Sequence, residues 1–441
     1  MNENTRRHFL KSSALAFPSL ALQKGFAKKG SPNGRIRAGM IGAGGRAARL
    51  NRIFAAHPDV EIAAIADVDL RRLRPVAEVV GKMQGKKPQT MQDFRPIIDD
   101  PTIDVICVGT PDHWHAIPTI LGCLAGKDVY VEKPDGHNIV EGQRMVEAMR
   151  KHKRIVQMGS QHRSTSRLQT AMQFCREGGV GRCLFAKGWE SARQGGIGKP
   201  ANGKPPAEVN YDLWLGPAPK RPFNQNRFHG RWRWFYDYGT GDLGNDGVHR
   251  IDMAFAMLNA CLEWEKVTPL HHPRTIHAAG GKWYYDDDQE FPDTMQVTYR
   301  YDSPTPRILT YELKLWTPYR QMEETEGAVV YGDKAQLVIG NSGWKAIERG
   351  GKVIAQEGGN SDATPHVANF IDCVRSRKRP NCDLETVGHR ASVLCHAGNL
   401  SARLDRSLRL NPKTETFEND EEANALRGRP EWRAPYVLPK V

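Results

Sequence analysis

Continuously apolar runs alternate with stretches of helical period over the first third of the chain. The runs are Ile36–Ile41, Val60–Ala66, Val105–Val108, Val129–Val131 and Ile155–Met158, and helices are expected near 46–56, 69–82, 115–126 and 138–152. A strand without polar alternation is buried on both faces, so this part predicts a parallel sheet covered by helices on either side. Beyond residue 160 the pattern changes. Met295-Val297-Tyr299-Tyr301 and Leu309-Tyr311-Leu313-Leu315 alternate strictly, which predicts strands with one wet face in an open, mainly antiparallel sheet. Apolar stripes at Val248, Ile251, Phe255 and Leu258, and at Val393, Ala397, Leu400 and Leu404, predict two helices. The Gly/Pro-rich stretch 195–222 reads as a long loop able to wall a cleft. The expected organisation is α/β with two domains, 35–159 and 160–441, behind a separate segment 1–30.

The first strand runs straight into Gly42-Ala43-Gly44-Gly45-Arg46-Ala47, a GxGxxA turn that opens a helix. Gly42 permits the tight turn and Gly44 lets backbone approach a pyrophosphate. Ala47 keeps helix and sheet close, and the helix N-terminus attracts the phosphates, with Gly45 and Arg46 in its first turn. Alone the motif is weak. Here the second strand ends at Asp67, where an acid should grasp a ribose diol. Strand, glycine turn, helix and acid together predict a Rossmann domain that binds NAD. Asp67 would repel a 2′-phosphate, while Arg71 and Arg72 leave NADP open. Asp67 could also cap the following helix.

Two further strands end in polar segments, Thr110-Pro111-Asp112-His113-Trp114-His115 and Glu132-Lys133-Pro134. Both fall at the carboxyl ends of parallel strands, where open α/β sheets bind ligands. Together with the glycine turn they resemble the Gfo/Idh/MocA family of dehydrogenases, whose hallmarks are a TP-[DN]-x-x-H loop and an EKP segment. The resemblance covers essentially all of residues 35–440. It implies that Thr110, Pro111, His113, His115, Glu132 and Lys133 face the cofactor. It also implies that Lys133 meets the reacting hydroxyl, with Pro134 commonly in cis. An ammonium there can stabilise a developing alkoxide. Gln161 and His162, after the last strand of this domain, could face the nicotinamide edge.

The family's second element is D-x-x-x-H, with the histidine as proton acceptor. This chain supplies His249 but carries Asn245 where the aspartate is expected, with Asp246 one position later. An amide orients a hydroxyl but cannot support a cationic imidazole as a carboxylate does. Catalysis is therefore expected from Lys133 and His249, with Asn245 or Asp246 in support, and Asp252 is expected to be structural. Trp232, Trp234, Phe235 and Tyr236, with Arg231 and Arg233, either line a saccharide site or are ordinary core aromatics. The resemblance further implies that the second sheet packs against a neighbouring subunit in a dimer or tetramer.

Composition adjusts this picture at one end. The formal charge is +13, but residues 1–29 hold six Lys/Arg against one acid, and what remains is a moderately basic surface without a nucleic-acid motif. Arg6-Arg7-His8-Phe9-Leu10-Lys11, then a mildly apolar stretch to Leu22, has the layout of a twin-arginine leader. That address carries folded proteins, so a periplasmic or otherwise exported enzyme with tightly held cofactor is expected, and no membrane contact after leader removal. The eight cysteines are scattered, with no zinc spacing, which predicts buried free thiols and no metal. The leading expectation is oxidation of a secondary hydroxyl of a sugar, glycoside or cyclitol. The alternative is a redox-neutral glycosidase or lyase that uses transient sugar oxidation.

Overall fold

The computed structural model describes residues 34–191, 193–302 and 306–441. The expected twin-arginine leader, with Arg6 and Arg7, lies outside them.

The first sheet contains β1 (Ile36–Ile41), β2 (Val60–Ala66), β3 (Gln89–Met91), β4 (Val105–Val108), β5 (Asp128–Val131) and β6 (Val156–Met158). Their order is β3-β2-β1-β4-β5-β6, and every pairing is parallel. The register matters for function. Ile41 pairs with both Ala66 and Val108, and Val108 pairs with Val131, so four strands end on one line. The residues that follow (Gly42, Asp67, Gly109 and Glu132) are thereby set side by side. Helices Gly45–Ala56, Leu70–Gln84, Ala116–Leu124 and Ile139–His152 cover the faces, as the periodicity predicted. β3 and the short helix Arg95–Asp99 escaped it, being too short to show a period.

The second sheet has nine strands: β7 (Cys183–Glu190), β8 (Thr275–Gly281), β9 (Thr294–Tyr301), β10 (Arg307–Lys314), β11 (Glu326–Gly332), β12 (Ala335–Ile339), β13 (Gly343–Glu348), β14 (Val353–Gly358) and β15 (Leu408–Arg409). They run β14-β13-β12-β11-β7-β10-β9-β8-β15. All neighbours are antiparallel except β7 and β10, which makes the sheet mixed. Met295, Val297, Tyr299, Leu309, Tyr311 and Leu313, the alternating apolar residues of β9 and β10, are buried against helices Val248–Trp264 and His389–Leu404.

The C-terminal third returns to the first sheet. Helix Thr364–Ser376 buries Val367, Phe370 and Ile371 in the core formed by Phe54 and Tyr130. Farther on, Trp432, Tyr436, Leu438 and Val441 pack on the opposite core around Trp114. All eight cysteines are buried and unbridged. No described helix is long and apolar enough to cross a membrane.

Candidate active site

A cleft of about 570 Å³ opens where the strand ends of the first sheet face the second domain. Gly42 takes φ of +115°, and a Cβ there would fall 2.7 Å from the Gly109 carbonyl, so the turn requires glycine. At Gly44 a Cβ would strike the Arg72 guanidinium. Asn51, buried in the second turn of the helix, donates to the carbonyls of Gly42 (3.1 Å) and Ala47 (2.8 Å) and holds the turn shut. No side chain caps the helix at Gly44, so its first amides are free to meet phosphate oxygens. That glycine cradle and uncapped helix end fit a dinucleotide.

Asp67 closes the far side of the turn. One carboxylate oxygen accepts from the Ala43 amide at 2.7 Å and the other from Asp69 at 2.9 Å. Burial pushes its carboxyl above the ordinary value, against those two amides. Capping of the next helix falls instead to Asp69, whose side chain accepts from the Arg71 amide. Asp69 also pairs with Arg71 and with His229 of the second domain (2.6 Å), while Arg72 lines the cleft. Asp67→Ala removes charge-assisted bonds worth about 1.5–3 kcal/mol each. We expect NAD affinity to fall about tenfold or more and discrimination against NADP to narrow, as read by titration of both nucleotides.

Three predicted cofactor residues form one cluster. Arg46 donates Nε–H to Glu132 Oε1 (2.8 Å) and Nη2–H to Gln161 Oε1 (3.2 Å), tying the glycine turn to the ends of β5 and β6. Thr110 and Pro111 line the cleft beside them. His115 does too, with its ring nitrogens facing the carbonyls of Pro134 (2.6 Å) and Thr110 (3.0 Å), so it joins the two family loops.

His113 does not meet the expectation. Its ring is buried away from the cleft, with Nε2 on the Trp214 carbonyl (2.9 Å) and Nδ1 on that of Tyr238 (3.3 Å). Trp114 Nε1 donates to the Leu213 carbonyl (2.9 Å), and Thr240 Oγ1 donates to Asp112 Oδ2 (2.7 Å). The DHW turn is thus a clamp between domains. The motif marks the turn but not which of its side chains look inward.

Lys133 and His249 line the same cleft. The Lys133–Pro134 bond is cis. The Lys133 ammonium donates to the Asn245 carbonyl (2.5 Å) and to Asn245 Oδ1 (2.9 Å), and the Asn245 amide donates to Asp246 Oδ2 (3.1 Å). Residues 243–247 form a single π-helical turn ahead of helix Val248–Trp264, which swings Asn245 toward the lysine. Burial lowers the His249 pKa well below its ordinary value, with His162 and Lys133 acting in the same sense, so the imidazole is neutral at neutral pH. Asp252 is held bidentately by Arg163 at 2.6 and 2.8 Å.

The aromatic cluster divides. Trp232 and Arg233 line the cleft, Trp234 and Phe235 are core, and Tyr236 packs on Phe291 and Arg403. Sequence reasoning missed Trp214, which sits in a short helix (Tyr211–Leu215) within the stretch read as a loop, and His229, which comes from a turn; neither belongs to a motif. Among the described residues no acid, His and Cys cluster could hold a metal.

A parallel sheet in this order, a glycine turn and an acid at the second strand end define a dinucleotide-binding α/β enzyme. The chain belongs to the Gfo/Idh/MocA oxidoreductase family: residues 36–160 match its NAD-binding Rossmann fold, and residues 189–302 and 345–438 match its C-terminal alpha/beta domain. A levoglucosan dehydrogenase of Pseudarthrobacter phenanthrenivorans is 32% identical over 187 residues, 40% of each chain. A glycosyl hydrolase family 109 protein of Saccharopolyspora erythraea is 28% identical over 158 residues, 35% of this chain and 34% of that one. The aligned region thus spans less than half the length of these curated relatives. The WlbA dehydrogenase from Bordetella pertussis, in complex with NADH and UDP-GlcNAcA, matches over 86% of this chain and 99% of its own. Its TM-score is 0.61 at 19% identity, a likeness of fold.

Proposed function

We propose that the chain oxidises a secondary hydroxyl of a sugar, glycoside or cyclitol. The observation that carries this reading is the convergence of Lys133 and His249 on one cleft with the glycine turn. NAD bound along that turn supplies the hydride acceptor. The chain's own residues deal with the proton and the charge. Neutral His249 accepts the hydroxyl proton. The Lys133 ammonium donates to the same oxygen as negative charge builds on it, in a cleft that Trp214 and Trp232 also line. The likenesses to a levoglucosan dehydrogenase and to a sugar-nucleotide-bound dehydrogenase support a carbohydrate substrate.

A second reading has one observation in its favour, the likeness to a glycosyl hydrolase family 109 protein. Oxidation at one sugar carbon acidifies the neighbouring C–H, which permits loss of an aglycone before the hydride is returned. The test is incubation of the NAD-loaded chain with a panel of sugars, cyclitols and aryl glycosides, following NADH and aglycone together. NADH accumulation is the expected result, and aglycone without net NADH selects the second reading. Tight NAD binding with neither product overturns both.

The Arg6-Arg7 leader supports export with the nucleotide already bound. The open face of the second sheet, where Leu184 is 45% exposed beside Phe185 and Tyr331, supports packing against a second copy.

A further inference from the structure

The family's carboxylate is missing at residue 245, and the amide there is committed to Lys133 and Asp246. A carboxylate is nevertheless linked to His249 through one intervening hydroxyl. Asp252 lies one turn further along the same helix, fully buried. Between the two stands Ser160, also fully buried, on the loop that leaves β6. Its hydroxyl is 3.3 Å from Asp252 Oδ2 and 3.4 Å from His249 Nδ1. Both distances sit at the long end of hydrogen bonding, where catalytic networks rest before a substrate closes them.

We infer that Ser160 is a positioning residue that couples the His249 imidazole to the buried Asp252 carboxylate and thereby fixes which ring nitrogen is free to act as base. Both oxygens of the Asp252 carboxylate accept from the Arg163 guanidinium, so toward the serine it serves as an acceptor. A serine hydroxyl has one proton, and Asp252 takes it. The hydroxyl's lone pair is then what faces His249, so Nδ1 must carry the ring's proton. Nε2 is left unprotonated, on a ring that lines the cleft. When Nε2 takes a proton, the new imidazolium finds its Nδ1–H already directed at a hydroxyl polarised by a carboxylate. This offsets part of the burial that otherwise disfavours the cation. The arrangement assigns a carboxylate-backed base to a chain whose sequence pattern lacks the expected aspartate. As a statement about catalysis it rests on the oxidation proposed above.

The first test needs no substrate. In protein labelled with ¹⁵N-histidine, the His249 signals are identified by their loss in His249→Gln. The expected wild-type spectrum has protonated Nδ1 and bare Nε2, and Ser160→Ala should mix the two tautomers. The second test uses whichever panel alcohol the chain turns over. Ser160→Ala should lower kcat about tenfold, the worth of one such hydrogen bond, with KM and NAD affinity kept within about twofold. Ser160→Thr, which retains the hydroxyl, should recover both tautomer and rate. Wild-type His249 bare at Nδ1 overturns the inference whatever happens to Ser160 variants. So does a Ser160→Ala protein with unchanged tautomer and kcat. A chain that oxidises none of the panel refutes the proposed reaction, while the spectrum still decides the role of Ser160.

Discussion

Lys133→Met should lower kcat about 10²–10³-fold, the usual cost of removing a donor aimed at a developing oxyanion, with little change in NAD affinity. An ammonium has three donors. The Asn245 carbonyl and side-chain oxygen take two of them, which fixes the direction of the third. Methionine keeps much of the side chain's length and bulk, so the glycine turn and the Arg46–Glu132–Gln161 cluster that support the nucleotide should stay intact. Stopped-flow turnover and nucleotide titration on one preparation separate the two quantities. Lys133→Arg should not rescue, because a planar fork cannot satisfy both Asn245 oxygens from the same position. A methionine variant with wild-type kcat would remove Lys133 from the chemistry. Loss of NAD binding instead would make it part of the nucleotide site.

The first domain was legible because its signals are local. Buried parallel strands read as apolar runs, the helices between them are long enough to show a period, and the glycine turn is one contiguous segment. Strand ends set by register then brought Gly42, Asp67 and Glu132 together, as their places in the sequence implied. The second domain was legible only in part. The alternation of β9 and β10 gave antiparallel pairing, but the parallel junction of β7 and β10 is a fact of topology that no local pattern encodes. The same limit explains His113. A motif names residues that occur together, yet three consecutive side chains on a tight turn point in different directions. Here the turn spends His113 and Trp114 on docking Trp214 and Leu213. Ser160 carried no signal at all. Its meaning comes from Asp252, 92 residues away, and from an asparagine where an aspartate was expected.

The largest stability effect should come from outside the cleft. Asp135, next but one after Lys133, is fully buried and its Oδ2 lies 2.6 Å from His389 Nδ1. The other ring nitrogen is 3.0 Å from Glu415 Oε2, and Glu415 in turn meets His272 at 3.0 Å. Burial alone would strip the proton from His389, but the two carboxylates outweigh it and push its pKa up to about 10. The backbone of helix Ile139–His152 comes close at this point: a Cβ on Gly142 would overlap both the His389 ring and the Asp135 carboxylate. His389→Gln therefore leaves a buried carboxylate without its cation, which typically costs about 3–5 kcal/mol. The pH dependence has a definite sign. A histidine whose folded pKa is raised contributes its full stabilisation below the unfolded value, near 6.5, and loses it as pH rises through about 10. Denaturant unfolding should show a large gap between wild type and His389→Gln at pH 6, narrowing steadily toward pH 10. A gap that stayed constant over that range would mean that His389 stabilises the fold as a neutral ring. The charged bridge between the EKP loop and the C-terminal segment would then have to be abandoned.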